Sequence, residues 1–215
     1  EVVPNRSFYS NAGAALPALK SRQWEAGIKW TTRDHDASAA LFDIRRPVAG
    51  DFCDDGGRCE RRIDGDQRHR GLELAGGWRQ GPWSLRASAM WLQAERLGSA
   101  DPAIHGLKPT NVPARALKAR ISHALTPTLT AHADLVHEGR RAALPDNRVQ
   151  VGSWATANAS VNWRTAVAGV PARLRLGIDN LADRRAWREA PYQFGHAYLM
   201  PLQPRTWHAS LSIDL

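Results

Sequence analysis

No run of about 18 apolar residues occurs anywhere in this 215-residue chain, which excludes a transmembrane helix. No positively charged stretch followed by an apolar one opens the chain either, so no signal peptide is visible. It begins Glu1-Val2-Val3-Pro4-Asn5 and reads as a piece, or a matured form, of something longer. No nucleophile elbow or oxyanion motif accompanies the scattered Ser and His residues, so no enzyme activity is expected. The net charge is +8, but the arginines cluster on no single element and no recognition motif is present, so nucleic-acid binding is not expected. Cysteine is nearly absent. Cys53 and Cys59 flank Asp54-Asp55-Gly56-Gly57-Arg58. That spacing suits a local disulfide in an oxidising compartment, with two free thiols as the alternative. Structural zinc normally needs four ligands, so a metal on this pair alone is disfavoured.

What the chain does have is a period of two. From Trp207 to Leu215 every odd position is apolar and every even one polar. Eight more segments repeat the pattern. The rows expected to face outward are Trp24–Trp30, Ser38–Ile44, Leu72–Trp78, Trp83–Trp91, Leu117–Ile121, Leu129–Leu135, Ala155–Trp163 and Leu174–Ile178, taken at every second residue. None of these rows contains Lys, Arg, Asp or Glu. The alternate rows hold Glu25, Lys29, Asp43, Arg45, Glu73, Arg86, Lys118, Arg120, Asp134, Arg173, Arg175 and Asp179 among others. Charge at mid-bilayer costs about 2–4 kcal/mol for Arg or Lys, so this segregation suits a lipid face and a lumen face. A soluble β-sandwich, with one face on a core, gives the same alternation.

The connections discriminate between the two. Arg33–Asp36, Arg79–Pro82, Thr126–Thr128 and Ala166–Pro171 are short. Pro47–Asp66, Gly98–Pro113, Arg140–Gln150 and Asp183–Pro204 are long, and the two kinds alternate. Up-and-down membrane barrels sort their loops in this way. Trp30, Trp78, Trp83 and Trp163 fall at the short-turn ends, and Trp24, Trp91 and Trp207 toward the long-loop ends, as two interfacial girdles would. Trp154 has inward parity. The expected fold class is all-β: about nine strands of a transmembrane antiparallel up-and-down barrel.

Several motifs then resemble the C-terminal part of a TonB-dependent outer-membrane receptor. These are Lys20-Ser21-Arg22-Gln23-Trp24-Glu25-Ala26-Gly27-Ile28-Lys29, Arg70-Gly71-Leu72-Glu73-Leu74, Asn180-Leu181-Ala182-Asp183-Arg184-Arg185 and Pro204-Arg205-Thr206-Trp207 with its alternating tail. Ala182 stands where the family usually has an aromatic, and Leu215 where its final residue is typically aromatic. The resemblance implies that residues 1–215 form the C-terminal portion of a larger barrel, with the N-terminal plug domain and earlier strands outside this chain. It implies uptake of a ferric siderophore across the bacterial outer membrane, driven by the TonB complex through that plug, with no catalytic residues and no resident cofactor. Outer-membrane lipid and lipopolysaccharide are the remaining expected partners. Vitamin B12, haem or a saccharide are alternative cargoes, and a self-contained small β-barrel or β-sandwich with a structural or adhesive role is the alternative architecture.

Arg pairs bidentately with carboxylate and phosphate, and aromatic rings stack on aryl groups. On those grounds Arg140, Arg141, Arg184, Arg185, Arg188, Tyr192, Phe194 and His196, all in expected extracellular loops, are the candidate ligand contacts. His132, His137 and His208 lack ligand partners at metal-binding spacing and are expected to hydrogen-bond in the lumen.

Overall fold

The computed structural model describes residues 1–193 and 195–213. Six strands come first: β1 (Arg22–Thr31), β2 (His35–Cys53), β3 (Cys59–Gln80), β4 (Trp83–Leu97), β5 (Arg115–Ala124) and β6 (Leu129–Glu138). The short β7 (Arg141–Ala142) and β8 (Gln150–Val151) follow, then β9 (Trp154–Val167) and β10 (Val170–Asp179). The last connection carries β11 (Trp187–Glu189), β12 (Tyr192–Gln193), β13 (His196–Ala197) and β14 (Met200–Pro201), and β15 (Thr206–Ile213) closes the order. Nine of these form one sheet in the order β1-β2-β3-β4-β5-β6-β9-β10-β15, every neighbour antiparallel. The nine expected segments are these nine strands. β7–β8, β11–β14 and β12–β13 are two-stranded sheets within the long connections. Among the described residues no second large sheet packs on the first, so the sandwich alternative does not hold. β1 and β15 are open edges.

The short connections are tight hairpins. Ala168 and Gly169 both have positive φ, 52° and 82°. That is the primed geometry whose twist matches the flanking strands, and glycine enters it without a Cβ penalty.

Direct cross-strand partners share a face, so the pairing fixes which side each row occupies. Trp30, Gly76, Ala87, Ala119, Leu135 and Ala157 lie in one such row; Trp24–Trp30, Leu72–Trp78, Trp83–Trp91 and the later rows all fall on this side as expected. β2 differs. Trp30 pairs with Ala37, Ile28 with Ala39 and Ala26 with Leu41, so the lipid row of β2 is Ala37, Ala39, Leu41. The expected row Ser38–Ile44 faces the lumen instead, and Asp43 and Arg45 lie on the lipid side. Phe42 explains the choice. Its buried ring covers Gly71 on the lumen side, and a Cβ at Gly71 would sit 2.7 Å from that ring and 2.3 Å from the Trp91 carbonyl oxygen. The Arg-Gly-x-Glu motif therefore needs its glycine for close approach. His137 pairs with Leu117 and also faces lipid, contrary to expectation. His132, between Ser122 Oγ (2.7 Å) and Asn162 Nδ2 (2.9 Å), makes the expected lumen hydrogen bonds.

Ile28 is 73% and Trp207 77% exposed, and no layer of the described residues covers them. The two tryptophan sets bound this apolar surface. Both lines climb across the cross-strand rows by about one residue per strand. With strands ~4.8 Å apart and two-residue steps of ~6.8 Å, that slope is about 35°, the strand tilt of a membrane barrel. The lines therefore lie level in the membrane, roughly 20 Å apart, close to the usual lipid-facing band. Between them, the corrected lipid rows still contain no Lys, Arg, Asp or Glu. At the lower line, Trp83 stacks on His123 at 3.9 Å and Trp30 lies near His35. The lumen face carries paired charge, such as Arg120–Asp134 at 2.6 Å, and a depression of about 700 Å³ lined by Glu25, Lys29, Glu73, Met90 and Lys118.

Candidate functional site

The long connections gather at one end of the sheet and divide into two clusters. The first is built on the extended β2–β3 hairpin. Pro47–Asp66, expected to be a loop, is mostly strand: pairing continues from Ala49↔Ile63 to Cys53↔Cys59, with a bulge after Pro47. Cys53 and Cys59 are disulfide-bonded across the tip. Residues 1–16 fold back on this hairpin. Val3, Tyr9 and Cys59 form a small apolar core, while the Ser10 amide donates to the Cys59 carbonyl and the Cys59 amide to the Phe8 carbonyl, each at 2.7 Å. Asn11 both donates to the Arg61 carbonyl and accepts from its amide. Arg61 bridges Glu1 (2.8 Å) and Asp51 (2.7 Å). The Tyr9 hydroxyl donates to Asp51 at 2.9 Å. Burial, and then the neighbouring Asp51 carboxylate, raise the Tyr9 phenol above its ordinary value. Nothing in the sequence pattern of residues 1–16 announces this docking, because it rests on isolated side chains rather than on a period.

The second cluster joins three connections. Asn111, at φ 59°, is its hub: its Oδ1 accepts from Arg141 Nη1 (3.4 Å) and from the Ala190 amide (2.8 Å), while its own amide donates to the Ala142 carbonyl. Asn147 ties the β7–β8 hairpin to Lys108 through both its amide nitrogen and oxygen. Ala143, Val151 and Ala190 pack beneath, with Ala197 against them. Asn111 and Asn147 were not singled out from the sequence; asparagine tolerates positive φ, but only the fold shows which asparagines use it.

The structure separates the expected ligand residues by role. Arg141 is buried, paired with Glu138 and Asn111, and acts inside the cluster. Arg140, Arg184, Arg185, Arg188 and His196 are exposed and Tyr192 is half-buried; Phe194 lies outside the described residues. Arg188 pairs with its neighbour Glu189 at 2.9 Å. Asn111 brings the segment of Arg140 and Arg141 beside the segment that carries Arg188 and Tyr192. Asn180 places the start of that second segment. At φ 51° its side chain donates to the Arg184 and Gln203 carbonyls and accepts from the Arg184 amide, while Asp183 accepts from the Arg205 amide. The Asn-Leu-x-Asp box is thus a clamp between the end of β10 and the start of β15. Among the described residues no group of three or more His, Cys, Asp or Glu side chains could hold a metal.

The second cluster thus presents the exposed guanidinium groups of Arg140 and Arg188 near the half-buried Tyr192 phenol. The profile of a family described as TonB dependent receptor-like, beta-barrel, matches residues 3–181. The chain is 27% identical over 207 residues to the ferrichrome receptor FcuA of Yersinia enterocolitica, covering 95% of this chain and 27% of FcuA. The fold superposes on BauA, the ferric preacinetobactin receptor of Acinetobacter baumannii, at 22% identity and a TM-score of 0.79, across 100% of this chain and 32% of BauA. It also superposes on the ferric yersiniabactin uptake receptor FyuA of Yersinia pestis, at 22% identity and a TM-score of 0.76, across 93% of this chain and 30% of FyuA. The chain spans roughly a third or less of each relative. All three are receptors by name, and FyuA is named an uptake receptor.

Proposed function

The chain belongs to the TonB-dependent receptor family, as part of its outer-membrane β-barrel, and from that premise we propose that its protein imports a ferric siderophore. The observation that carries this reading is the single tilted sheet with a charge-free lipid band, a polar lumen face and all long connections at one end. Residues 1–215 form the C-terminal wall of a larger barrel, and the open edges of β1 and β15 pair with strands outside this chain. Unpaired edges otherwise invite non-specific strand pairing. The depression lined by Glu25, Lys29, Glu73 and Lys118 faces a plug domain through which TonB acts. Arg140, Arg184, Arg185 and Arg188, with Tyr192 and His196, meet the anionic ferric complex at the outer mouth, and Arg141 holds their loops in place.

The test is uptake of radioactive iron by cells that depend on the full-length gene, supplied with a panel of ferric hydroxamate and catecholate siderophores. Uptake should require TonB. Replacing Arg184, Arg185 and Arg188 together by Gln should raise the apparent Kd for the transported complex several-fold, in keeping with rim charges that steer more than they hold. TonB-dependent import of vitamin B12, haem or a saccharide, with no iron taken up from any siderophore, would overturn this cargo.

A further inference from the structure

The lumen face of the sheet divides into two halves of different character. On β1–β5 the long charged side chains of Glu25, Lys29, Glu73 and Lys118 line the depression assigned above to the plug. On β9, β10 and β15 the lumen rows are short and mostly neutral: Thr156, Ser160, Gly177 and Ser210 fall on this side by the cross-strand pairing. A Cβ at Gly177 would sit 2.3 Å from His208 Nε2, so the imidazole lies over the glycine against the wall. The carboxylate in this sector, Asp179, faces His208 Nδ1 at 3.5 Å. The result is a low, polar lane that runs the height of the wall.

The lane ends in arginine. Arg164 pairs directly with Arg173 across β9 and β10, and Arg175 lies two residues further up β10 on the same face. Corrected for the climb of the rows, all three lie within about two residues of the lower tryptophan line, at the short-turn end. All three are exposed, and among the described residues none has a carboxylate within ion-pairing distance. Arg164 donates instead to the Pro127 carbonyl. The described cross-strand neighbours Asn162, Ser210 and Ser212 are neutral. Like charges directly opposite each other on a sheet are destabilising, so the Arg164–Arg173 pair costs stability until an anion lies against it. At the other end of the same strands, the exposed Arg140, Arg184, Arg185 and Arg188 stand on the β6–β9 and β10–β15 connections. Basic groups therefore mark both ends of one sector of the wall.

We propose that Arg164, Arg173 and Arg175 form a second, transient station for the anionic ferric complex beside the periplasmic exit, reached along the β9–β10–β15 lane. The inference rests on the cargo reading above and adds a route to it. Arginine suits a station of this kind because its planar guanidinium takes carboxylate oxygens in pairs. A cluster of like charge also raises the local concentration of an oppositely charged ligand. Short neutral side chains along the lane leave nothing to hold the complex between the two ends. The plug packs against the β1–β5 half, so the lane lies where the wall is least engaged.

The test uses the full-length receptor carrying R164Q/R173Q/R175Q, in cells that depend on it for iron. Two quantities are read with the radioactive ferric complex that wild type transports: its Kd on cells lacking TonB, and its maximal uptake rate on cells with TonB. The Kd should match wild type, because the mouth is untouched. The maximal rate should fall about tenfold, the low end of what a focused field adds to local ligand concentration. The matching Lys variant should recover most of that rate, and heat-modifiable electrophoresis checks that each barrel is folded. An unchanged rate in the Gln variant, or a rate as low in the Lys variant, would overturn the station. So would a Gln variant that lets a bulky antibiotic into cells lacking TonB, since the arginines would then be holding the plug. Wild type that imports no ferric complex would remove both readings, whereas normal import by the Gln variant removes the station alone.

Discussion

Ala39 and Ala40 are chemically identical neighbours on opposite faces of β2, and they offer a direct test of the register. Ala39 pairs with Ile28 on one side and Leu74 on the other, midway between the two tryptophan lines. Ala40 pairs with Gly27 and with Glu73 on the lumen face. An arginine placed at Ala39 must leave its guanidinium in hydrocarbon or drag it to an interface roughly 10 Å away. The expected cost is about 2–4 kcal/mol at mid-bilayer. An arginine at Ala40 enters the polar lumen beside the Glu73 carboxylate, where the net effect should stay within about 1 kcal/mol. Folding free energies of the full-length barrel carrying A39R or A40R, measured by guanidinium titration in phosphatidylcholine vesicles, should therefore differ by at least about 1 kcal/mol with A39R the weaker. Heat-modifiable electrophoresis would report the same order. If A40R proved the more damaging, Ser38, Ala40 and Phe42 would be the lipid row, and the assignment of faces on β2 would be wrong.

Two further substitutions probe the loop end. Asn180→Ala removes three side-chain hydrogen bonds and leaves a non-glycine residue at φ 51°. The cost to the local clamp should be about 2–4 kcal/mol, seen as faster amide exchange at Arg184 and Arg205 with the central strands unchanged. Tyr9 has a raised folded-state value, so its contribution to docking residues 1–16 is complete below the unfolded phenol value of about 10 and is lost as pH rises through the folded one. Protease cleavage within residues 1–16 should accelerate above that pH in the native chain, and Tyr9→Phe should remove the added dependence; an unchanged pH profile in Tyr9→Phe would sink the account.

All nine barrel strands were legible in the sequence because an apolar surrounding on one side and water on the other impose a period of two; it took the alternation of short and long connections to tell a barrel from a sandwich. Strand β2 shows where the signal fails. Ala37, Ser38, Ala39, Ala40, Leu41 and Phe42 are small or apolar on both parities, so the chain carries almost no face preference there, and the ring of Phe42 over Gly71 decides it. The stem of the β2–β3 hairpin looked like a loop for a related reason. Above the membrane both its faces are wet, so its pairing needs no alternation to be stable. At the outer mouth, arginine-rich loops could be picked out by composition. Which arginine is used internally could not, since the burial of Arg141 depends on Glu138 and on Asn111, far apart in sequence.

The climb of the tryptophan lines also fixes how much circumference each strand takes up in a barrel wall. A stagger of one residue per strand means that the shear of the closed structure equals its strand number. At that pitch each strand occupies about 6 Å of circumference, so these nine cover roughly 50 Å of it. The slant of that wall is thus already encoded in where seven indoles fall along nine segments of sequence.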